Sequence, residues 1–377
     1  MGASRWRRVG MLVACSAAVA SMASAESLTI GLRANSTSVD PHFHHGPNAA
    51  MSEHIYDALV AQDHRKQILP SLAVSWEPIS ENTWEFKLRE GVTFHDGSPF
   101  TADDVVCSWA RPVKITNSPG SFTTFTENKT VTKVDDYTVH FTTDGPYPQM
   151  VTDTAMIFIV SDENGCDAST DDFHNGEAAS GTGPYKLAEF IPDQKIVLTA
   201  NENYWGDAPE FSDITYLPIN SDPSRVAALL SGDVDMIAQV PTADLAQLQD
   251  NPDIAVHSTE TDRVIFLFPD HWRENSPHVK GLDGSEIKSP LLDNRVLKAM
   301  SKAINREAIS ERVMEGQSVP AGQILPEGFF GRSDKLSPEP YDPEGAKALL
   351  AEAGWGDGFK LRLHGPNDRY INDKRIL

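Results

Sequence analysis

His95 and Asp96 are the adjacent residues whose types best fit acid–base chemistry, because a carboxylate can hold an imidazole as a general base. Such a pair also needs a nucleophile or a metal beside it, and the flanking sequence TFHDGSPF supplies neither. Asp96-Gly97 is also a typical tight-turn pair. We therefore interpret this stretch as scaffold and predict no catalytic residue. A secreted hydrolase that uses His95 and Asp96 is kept as an alternative.

A second group, DPHFHH at residues 40–45, is the densest run of potential metal ligands in the sequence. Imidazole nitrogens bind zinc, copper or nickel, and His42 and His44 lie on the same side of an extended segment. A dedicated metal site also needs fixed geometry and supporting hydrogen bonds. We predict no metal site and no cofactor here, with a nickel, metal-chelate or haem receptor as the alternative.

The glycine-rich stretch GTGPYKL at residues 181–187 lacks the Lys-Ser/Thr ending of a phosphate-binding loop. A strand-like run follows it, whereas a phosphate-binding loop leads into a helix. Two glycines before a strand suit a close passage of backbone, which we expect between two lobes. A nucleotide site is not predicted at this position.

The elements that must position these groups begin with an α/β unit. Residues 27–34 are a strand-length apolar run, and residues 48–60 place apolar side chains at helical spacing after Asn48, a suitable N-cap. Residues 83–88 and 130–141 then alternate apolar and polar side chains, as half-buried strands do. The middle of the chain is therefore predicted to be mostly antiparallel.

Helix caps give further boundaries. Thr101 and Asp104 have the spacing of a capping box. Asp222 is predicted to cap a helix that ends at Gly232, and Asp342 to cap a similar helix later in the chain. Strands separated by such capped helices predict mainly parallel pairing after residue 181.

Residues 1–25 have the features of a secretory signal peptide, namely three arginines, an apolar run and the sequence ASA, with cleavage expected after Ala25. Cys15 in the sequence LVAC is alternatively a lipid-attachment residue. Removing residues 1–25 takes away three arginines and no acidic residue, so the formal net charge of −22 becomes −25. This charge argues against nucleic acid or an anionic membrane surface as a partner.

Two cysteines remain after the leader, Cys107 and Cys166. An oxidising compartment permits one disulfide between them, which is too few for a disulfide framework. The 352 residues after the leader are enough for two or more compact units with separate cores.

Seven stretches, in order along the chain, resemble family 5 of the bacterial extracellular solute-binding proteins, the dipeptide-, oligopeptide- and nickel-binding components of ABC importers. They are IYDALV, LPSLAVSWEP, TWEFKLREGVTFHDGSPFTADDVVCSW, GTGPYKLAEF, NENYWGDAP, DPSRVAALLSGDVDMI and NRVLKAMSKAINREAI. The stretch at residues 83–109 is the most specific. The resemblance implies an α/β fold like that of type II periplasmic binding proteins, with two lobes around a cleft and an additional inserted, mostly antiparallel domain.

The resemblance also implies domain boundaries. Lobe I is expected at residues 26–61 and 179–270, the inserted domain at 62–178, and lobe II at 271–377. Members of the family are longer, so the chain resembles a C-terminally truncated member with an incomplete lobe II. A nonfunctional remnant is therefore a further alternative.

The function implied by the resemblance is that of a periplasmic receptor without catalytic activity. It captures di- or oligopeptides, or similar small solutes, by closing its lobes, and delivers them to an inner-membrane permease with its ATPase subunits. A monomer without a nucleic-acid partner is expected. Phe122 stands where some peptide-binding relatives have a tyrosine, so a hydroxyl contact is lost there. The expected ligand-binding residues are Arg33, Asn35, Ser36, Phe122, Phe125, Phe268 and Trp272.

Overall fold

The computed structural model describes residues 26–34, 36–366 and 370–376. The strands are β1 Ser27–Leu32, β2 Val60–Gln62, β3 Ile68–Pro70, β4 Ala73–Ser80, β5 Thr83–Leu88, β6 Lys129–Asp135, β7 Thr138–Thr143, β8 Tyr185–Ile191, β9 Lys195–Ala200, β10 Asp213–Pro218, β11 Met236–Ile237, β12 Val279–Lys280 and β13 Lys360–Leu361. The helices are α1 Ala49–Ile55, α2 Ala102–Ala110, α3 Thr123–Thr126, α4 Met150–Thr154, α5 Thr170–His174, α6 Asp222–Ser231, α7 Leu245–Gln249, α8 Asn294–Lys302, α9 Arg306–Ala308, α10 Pro343–Glu352 and α11 Asp373–Ile376.

The predicted signal peptide, its cleavage after Ala25 and the alternative lipid site at Cys15 lie outside the described residues. Within the described ranges, no helix combines the length and the apolar character that a bilayer span requires. The predicted lobe and domain boundaries stay predictions.

A five-stranded sheet in the order β11-β1-β10-β9-β8 forms one layer. β1 is parallel to both β10 and β11, whereas the β10-β9 and β9-β8 pairs are antiparallel. The prediction of mainly parallel pairing is therefore wrong for two of the four pairs. The connection from β8 to β9 is only residues 192–194, and so short a connection must reverse the chain.

Helix α1 packs on this sheet and is shorter than predicted. Its last residue, Ile55, is fully buried and shares a core with Leu198 and Ile214. The carbonyl oxygen of Ile55 accepts the N–H of Gly183 at 3.0 Å, so the chain leaves the helix there. Residues 56–59, predicted as helical, lie outside α1 and lead into β2.

A four-stranded sheet in the order β4-β5-β7-β6 forms a second layer, and its pairs are all antiparallel, as the alternating pattern predicts. Phe86, Val139 and Phe141 are fully buried on one face. Helix α2 covers this face with Trp109, whose ring lies edge-on to that of Phe141 at 4.7 Å. Each such apolar side chain stabilises the fold by about 1.5–3 kcal/mol when buried.

The capping box at the start of α2 is confirmed. The side chain of Thr101 accepts a backbone N–H of the first turn, and Asp104 Oδ2 accepts the N–H of Thr101 at 2.7 Å. Asp104 is also buried, and its Oδ1 accepts the N–H of Asp162 at 2.8 Å. Burial raises the pKa of Asp104 to about 7 and outweighs the hydrogen bonds from the N–H groups of Asp162 and Thr101, which lower it; the charge of Asp162 adds to the rise.

Of two other predicted caps, the one at Asp222 is wrong and the one at Asn48 is confirmed in position without a side-chain bond. At α6 the N-cap is Ser221, whose Oγ accepts the N–H of Ser224, so Asp222 is the first helical residue. Asn48 is the N-cap residue of α1, as predicted, but its Oδ1 accepts the N–H of Thr37 and no side-chain cap bond forms. At α6 the neighbouring Ser221 takes the capping role, and at α1 the N–H of Thr37 occupies the oxygen of Asn48. The predicted end of α6 at Gly232 is confirmed, with a left-handed φ of 80°.

Cys107 and Cys166 form the disulfide that the sequence permits. The bond joins α2 to the segment that precedes α5, across a sequence separation of 59. Ser108, the next residue in α2, donates to the carbonyl oxygen of Val160 and accepts its N–H at 2.9 Å. The helix and this segment are therefore held together by both covalent and hydrogen bonds.

The chain after α7 is less regular. Residues 252–278 contain no helix or strand. The predicted helix, break and helix that follow are confirmed as α8, then α9 with a π-helical turn at Ile309–Val313. Helices α8 and α10 enclose a small core around Leu291 and Val296.

Candidate ligand-binding site

The carboxyl ends of β1 and β10 lie at one edge of the five-stranded sheet, because Leu32 pairs with Pro218 in parallel register. Arg33 follows β1, and its Nε lies 3.8 Å from Asp222 Oδ1 at the start of α6. In open α/β sheets, ligands bind outside the carboxyl ends of the strands. The edge that carries Arg33 is therefore in a suitable place to meet a ligand.

Arg225 holds this edge together from the inside. It is fully buried, and its Nη1 donates to the carbonyl oxygen of Ile219 at 2.9 Å. Its Nη2 donates to Asp222 Oδ1 at 2.7 Å and to the carbonyl oxygen of Gln239 at 3.1 Å. One side chain thus ties the ends of β10 and β11 to α6. Sequence reasoning missed Arg225, although its i,i+3 spacing from Asp222 is a usable signal.

Ser36 is buried, and its Oγ donates to the carbonyl oxygen of Pro47 at 3.2 Å. This bond folds the loop of residues 36–48 back onto the start of α1. A hydroxyl that donates within its own loop keeps only acceptor capacity for a ligand. Asn35 lies outside the described residues. The ligand contacts predicted for Ser36 and Asn35 stay predictions.

A buried ion pair anchors the same loop. Arg111 donates from Nη1 and Nη2 to the two carboxylate oxygens of Asp40 at 2.7 and 2.9 Å. Arg111 Nη2 also donates to the carbonyl oxygen of Ala168, and the guanidinium lies 4.4 Å from the ring centre of Phe173. Burial raises the pKa of Asp40, but the hydrogen bonds and charge of Arg111 outweigh it and lower that pKa overall. Sequence reasoning missed this pair, whose members are 71 positions apart.

His42 belongs to this buried group. Its Nδ1 accepts from Arg111 Nη1 at 3.2 Å, since an arginine can only donate, and its Nε2 donates to the carbonyl oxygen of Phe158 at 2.9 Å. Burial, together with the charge of Arg111, lowers the pKa of His42 to about 4. The ring is therefore neutral with its proton on Nε2, and neither nitrogen is available to a metal. Among the described residues, no group of three or more His, Cys, Asp or Glu is arranged to hold a metal ion.

His44 connects the loop of residues 36–48 to the loop of residues 118–125. Its carbonyl oxygen accepts from Ser118 Oγ at 3.2 Å and from the N–H of Gly120 at 3.3 Å. Its ring lies edge-on to that of Phe122, with centroids 4.7 Å apart. His44 thus connects the two loops in which ligand contacts are predicted.

Phe122 and Phe125 are half-buried against the core of the antiparallel sheet, with ring centroids 6.3 Å apart. Phe122 immediately precedes α3, and the N–H of Phe125 donates to its carbonyl oxygen at 2.9 Å. The turn therefore fixes both rings relative to each other. Their predicted contact with a ligand stays a prediction.

Phe268 and Trp272 form a separate cluster in the irregular segment after α7. The side chain of Phe268 is 74% exposed and that of Trp272 53%, and their ring centroids are 5.8 Å apart. Within the described residues, no ring contact joins them to Phe122. Their other ring contacts are with Phe266, His271 and Arg273. Their predicted contact with a ligand stays a prediction.

The interpretation of His95 as scaffold is supported by its contacts. Its Nδ1 accepts the N–H of Gly181 at 3.2 Å and its Nε2 donates to the carbonyl oxygen of Gly183 at 3.0 Å. Burial lowers the pKa of His95 to about 4, so the ring stays neutral. Asp96 accepts from Ser98 within the turn. Both side chains are thus engaged in holding backbone.

The two glycines do make the predicted close passage, but against α1 and not between lobes. A Cβ atom at Gly183 would lie 2.6 Å from the carbonyl oxygen of His54. At Gly181 it would overlap the carbonyl oxygen of Ile55. Only glycine fits at these positions.

Comparison with known families identifies the fold. The family described as bacterial extracellular solute-binding proteins, family 5 Middle, matches residues 67–375. The chain belongs to this family. Its members bind solutes, and the fold is the two-lobed α/β fold of the periplasmic binding proteins.

Individual relatives agree with this family. The chain is 32% identical to the dipeptide-binding protein of Escherichia coli over 79% of its own length and 57% of that protein. It is 30% identical to heme-binding protein A of Haemophilus influenzae over 85% of its own length and 61% of that protein. The chain thus spans about three-fifths of these relatives.

A solved structure shows the same fold. The ABC transporter-associated periplasmic binding protein DppA from Helicobacter pylori, in complex with the peptide STSA, superposes with a TM-score of 0.67. The match covers 88% of this chain and 67% of that protein at 24% identity. An identity this low supports the fold and carries no information on the ligand.

Proposed function

We propose that the protein is the solute-binding component of an ABC importer. It captures di- or oligopeptides, or similar small solutes, and delivers them to an inner-membrane permease with its ATPase subunits. The observation that carries the proposal is the joining of the loop after β1 to the loop of residues 118–125 through His44 and Phe122. Membership in the solute-binding family and the likeness to a dipeptide-binding protein support it.

The chemistry of a peptide suits the edge that carries Arg33. An extended main chain pairs with strand ends, and a carboxylate is attracted to a guanidinium. Phe122 and Phe125 offer apolar ring surface to side chains, and water accommodates their variety. Arg33, Asn35, Ser36, Phe122 and Phe125 are therefore the proposed ligand residues.

In the proposed mechanism, lobe I is residues 26–61 and 179–270, residues 62–178 are the inserted domain, and lobe II begins at residue 271. A ligand closes the lobes only to the extent that it makes better contacts in the closed state. Phe268 and Trp272 lie beside the proposed hinge between lobes and are its weaker ligand residues. No bond is made or broken, so the protein is not an enzyme.

The proposed location is the periplasm, with residues 1–25 as a signal peptide removed after Ala25. A monomer is proposed, because one pair of lobes encloses one ligand. The formal net charge of −22 makes nucleic acid an unsuitable partner.

A haem receptor is the second candidate. The 30% identity to heme-binding protein A favours it. A nickel receptor has less support, since His42 is engaged on both nitrogens. The same experiment distinguishes these ligands.

Native mass spectrometry of the full chain, exported by its own host, tests the proposal. We expect a ladder of masses at one peptide for each protein, together with the mass of the processed chain. A single added mass of haem favours the second candidate. After the ligand is removed by unfolding and refolding, the dipeptides Ala-Ala and Ala-Phe should bind at one to one without turnover in calorimetry. Hydrolysis of either dipeptide would overturn the proposal.

A further inference from the structure

His44 holds the loop of residues 118–122 by both its backbone and its side chain. Its carbonyl oxygen accepts two hydrogen bonds, one from Ser118 Oγ and one from the N–H of Gly120. Its ring contacts the ring of Phe122 at 4.7 Å with an interplanar angle of 69°. The edge-on arrangement is one of the favourable arrangements of two aromatic rings.

Gly120 lies directly against the ring of His44. A Cβ atom at position 120 would overlap His44 Nδ1 and would lie 3.0 Å from Cε1 and 3.1 Å from Cγ. The backbone of Gly120 is not in the left-handed region, so the requirement for glycine is one of space. The ring of His44 therefore occupies the volume of the missing side chain.

The loop that carries His44 is held firmly from behind. Asp40, four residues earlier, accepts from Arg111 and also from Thr170 Oγ1 at 2.9 Å. His42 is fixed by hydrogen bonds at both ring nitrogens. His44 therefore connects the loop that is anchored by the buried ion pair to the loop that carries Phe122.

We propose that His44 is a positioning residue for Phe122 and that it determines the preference of the site for ligands with an aromatic or large apolar side chain. This inference rests on the proposed function. His44 acts through Phe122, because the ring-to-ring contact and the two hydrogen bonds set where the face of Phe122 lies. Loss of the His44 ring should weaken the binding of ligands that reach Phe122 and leave the binding of other ligands unchanged.

The first measurement reports the loop and needs no ligand. In the full chain, 4-fluorophenylalanine is placed at position 122 and its fluorine signal is recorded by NMR. His44→Ala should move this signal, whereas His44→Phe, which keeps a ring edge, should move it less. The matched control is His45→Ala, since His45 contacts Thr37 Oγ1 and leaves the signal in place. An unmoved signal in the folded His44→Ala protein would overturn the inference.

The second measurement separates specificity from stability. At a temperature well below unfolding, His44→Ala should weaken binding of Ala-Phe by about two- to tenfold, the range of one aromatic pair. Binding of Ala-Ala should change by less than about twofold, and His44→Phe should recover most of the loss for Ala-Phe. Equal weakening of both dipeptides would overturn the assigned preference.

Gly120→Ala gives an independent check through the space that the ring fills. Alone, it should move the fluorine signal and weaken Ala-Phe binding. In the His44→Ala background the added methyl group has room, so the second substitution should have little further effect. Additive effects would contradict the inference. If the unsubstituted chain binds no dipeptide, the proposed function fails, while the fluorine measurements still decide whether His44 positions Phe122.

Discussion

Strand β5 and the segment RVIFLFP at residues 263–269 are both rich in apolar and aromatic side chains, yet they lie in opposite environments. In β5, Phe86 is fully buried and Leu88 is 4% exposed. In the second segment, Phe266 is 64% and Phe268 74% exposed. β5 lies between β4 and β7, and α2 covers its sheet, whereas residues 263–269 pair with no described strand. The difference teaches that burial depends on a partner face from elsewhere in the fold.

The two regions also differ in how charges are used. In the first region Arg111, which follows α2, forms a buried ion pair with Asp40, and the two side chains are 1% and 0% exposed. In the second region the pair of Arg273 with Asp270 is longer, at 3.4 Å, and the arginine side chain is 54% exposed. Exposed pairs contribute little to stability, whereas breaking a buried pair is costly. Substitutions should therefore have large effects in the first region and small effects in the second.

The largest effect is expected for Arg111→Ala. The change leaves the Asp40 carboxylate buried without its counter-charge, and should lower the free energy of unfolding by about 3–5 kcal/mol. Urea denaturation followed by tryptophan fluorescence measures it. Arg273→Ala is the matched control in the second region, with an expected change within about 0.5 kcal/mol. Similar losses in the two variants would break the comparison.

The next effect concerns pH. Well below its ordinary pKa of 3.8, Asp104 is protonated in both the folded and the unfolded chain. Between pH 4 and 7 the unfolded chain ionises there while the folded chain keeps its proton, because the folded pKa is about 7. The free energy of unfolding should therefore fall by on the order of 4 kcal/mol from this group as the pH rises, and level off above pH 7.

Denaturation of Asp104→Asn at several pH values checks this prediction. The variant should lose the fall between pH 4 and 7 that the unsubstituted chain shows. Asp103→Asn, which removes the neighbouring exposed carboxylate bound to Lys133, should keep it. Identical pH profiles for the unsubstituted and Asp104→Asn proteins would contradict the assigned protonation.

Loss of the disulfide comes third. Replacing both Cys107 and Cys166 by serine removes a cross-link that closes a loop of about 60 residues, and should lower the free energy of unfolding by about 2–4 kcal/mol. Reduction of the unsubstituted protein by a dithiol should have the same effect, and the double variant should then be insensitive to the reductant. A double variant as stable as the oxidised protein would contradict the prediction.

The smallest effect is expected for Phe268→Ser. The residue is 74% exposed and its ring contacts are with Phe266 and Trp272, so the free energy of unfolding should change by less than about 0.5 kcal/mol. Binding of an apolar dye to the native protein should fall, since the exposed ring surface is reduced. Phe86→Ala in β5 is the contrasting variant, with an expected loss of about 3–5 kcal/mol. A large loss for Phe268→Ser would show that the segment is covered in solution.

Local features of the fold could be predicted from the sequence because neighbouring residues determine them. The capping box of Thr101 and Asp104, the end of α6 at Gly232 and the alternation in β5 each depend on residues a few positions apart. The N-cap of α6 was missed by one residue, because Ser221 and Asp222 are equally suitable types. The turn interpretation of Asp96 was sound for the same local reason.

Features that join distant segments could not be predicted in this way. Nothing near Arg111 in the sequence indicates that it pairs with Asp40, since their meeting depends on how two layers pack. The contact of His44 with Phe122 is of the same kind. The sequence therefore predicts which segments form the site, whereas the contacts between these segments depend on the fold.

The close packing of the backbone at Gly181 and Gly183 has a consequence for how the protein unfolds. His95, which follows β5, forms hydrogen bonds to Gly181 and Gly183 with its two ring nitrogens. The same backbone segment packs on the last turn of α1. The two sheets therefore cannot separate without breaking the hydrogen bonds of His95 to Gly181 and Gly183. Hydrogen exchange should find the amides of both layers opening together as one cooperative unit, with the irregular stretch around residue 266 exchanging far earlier.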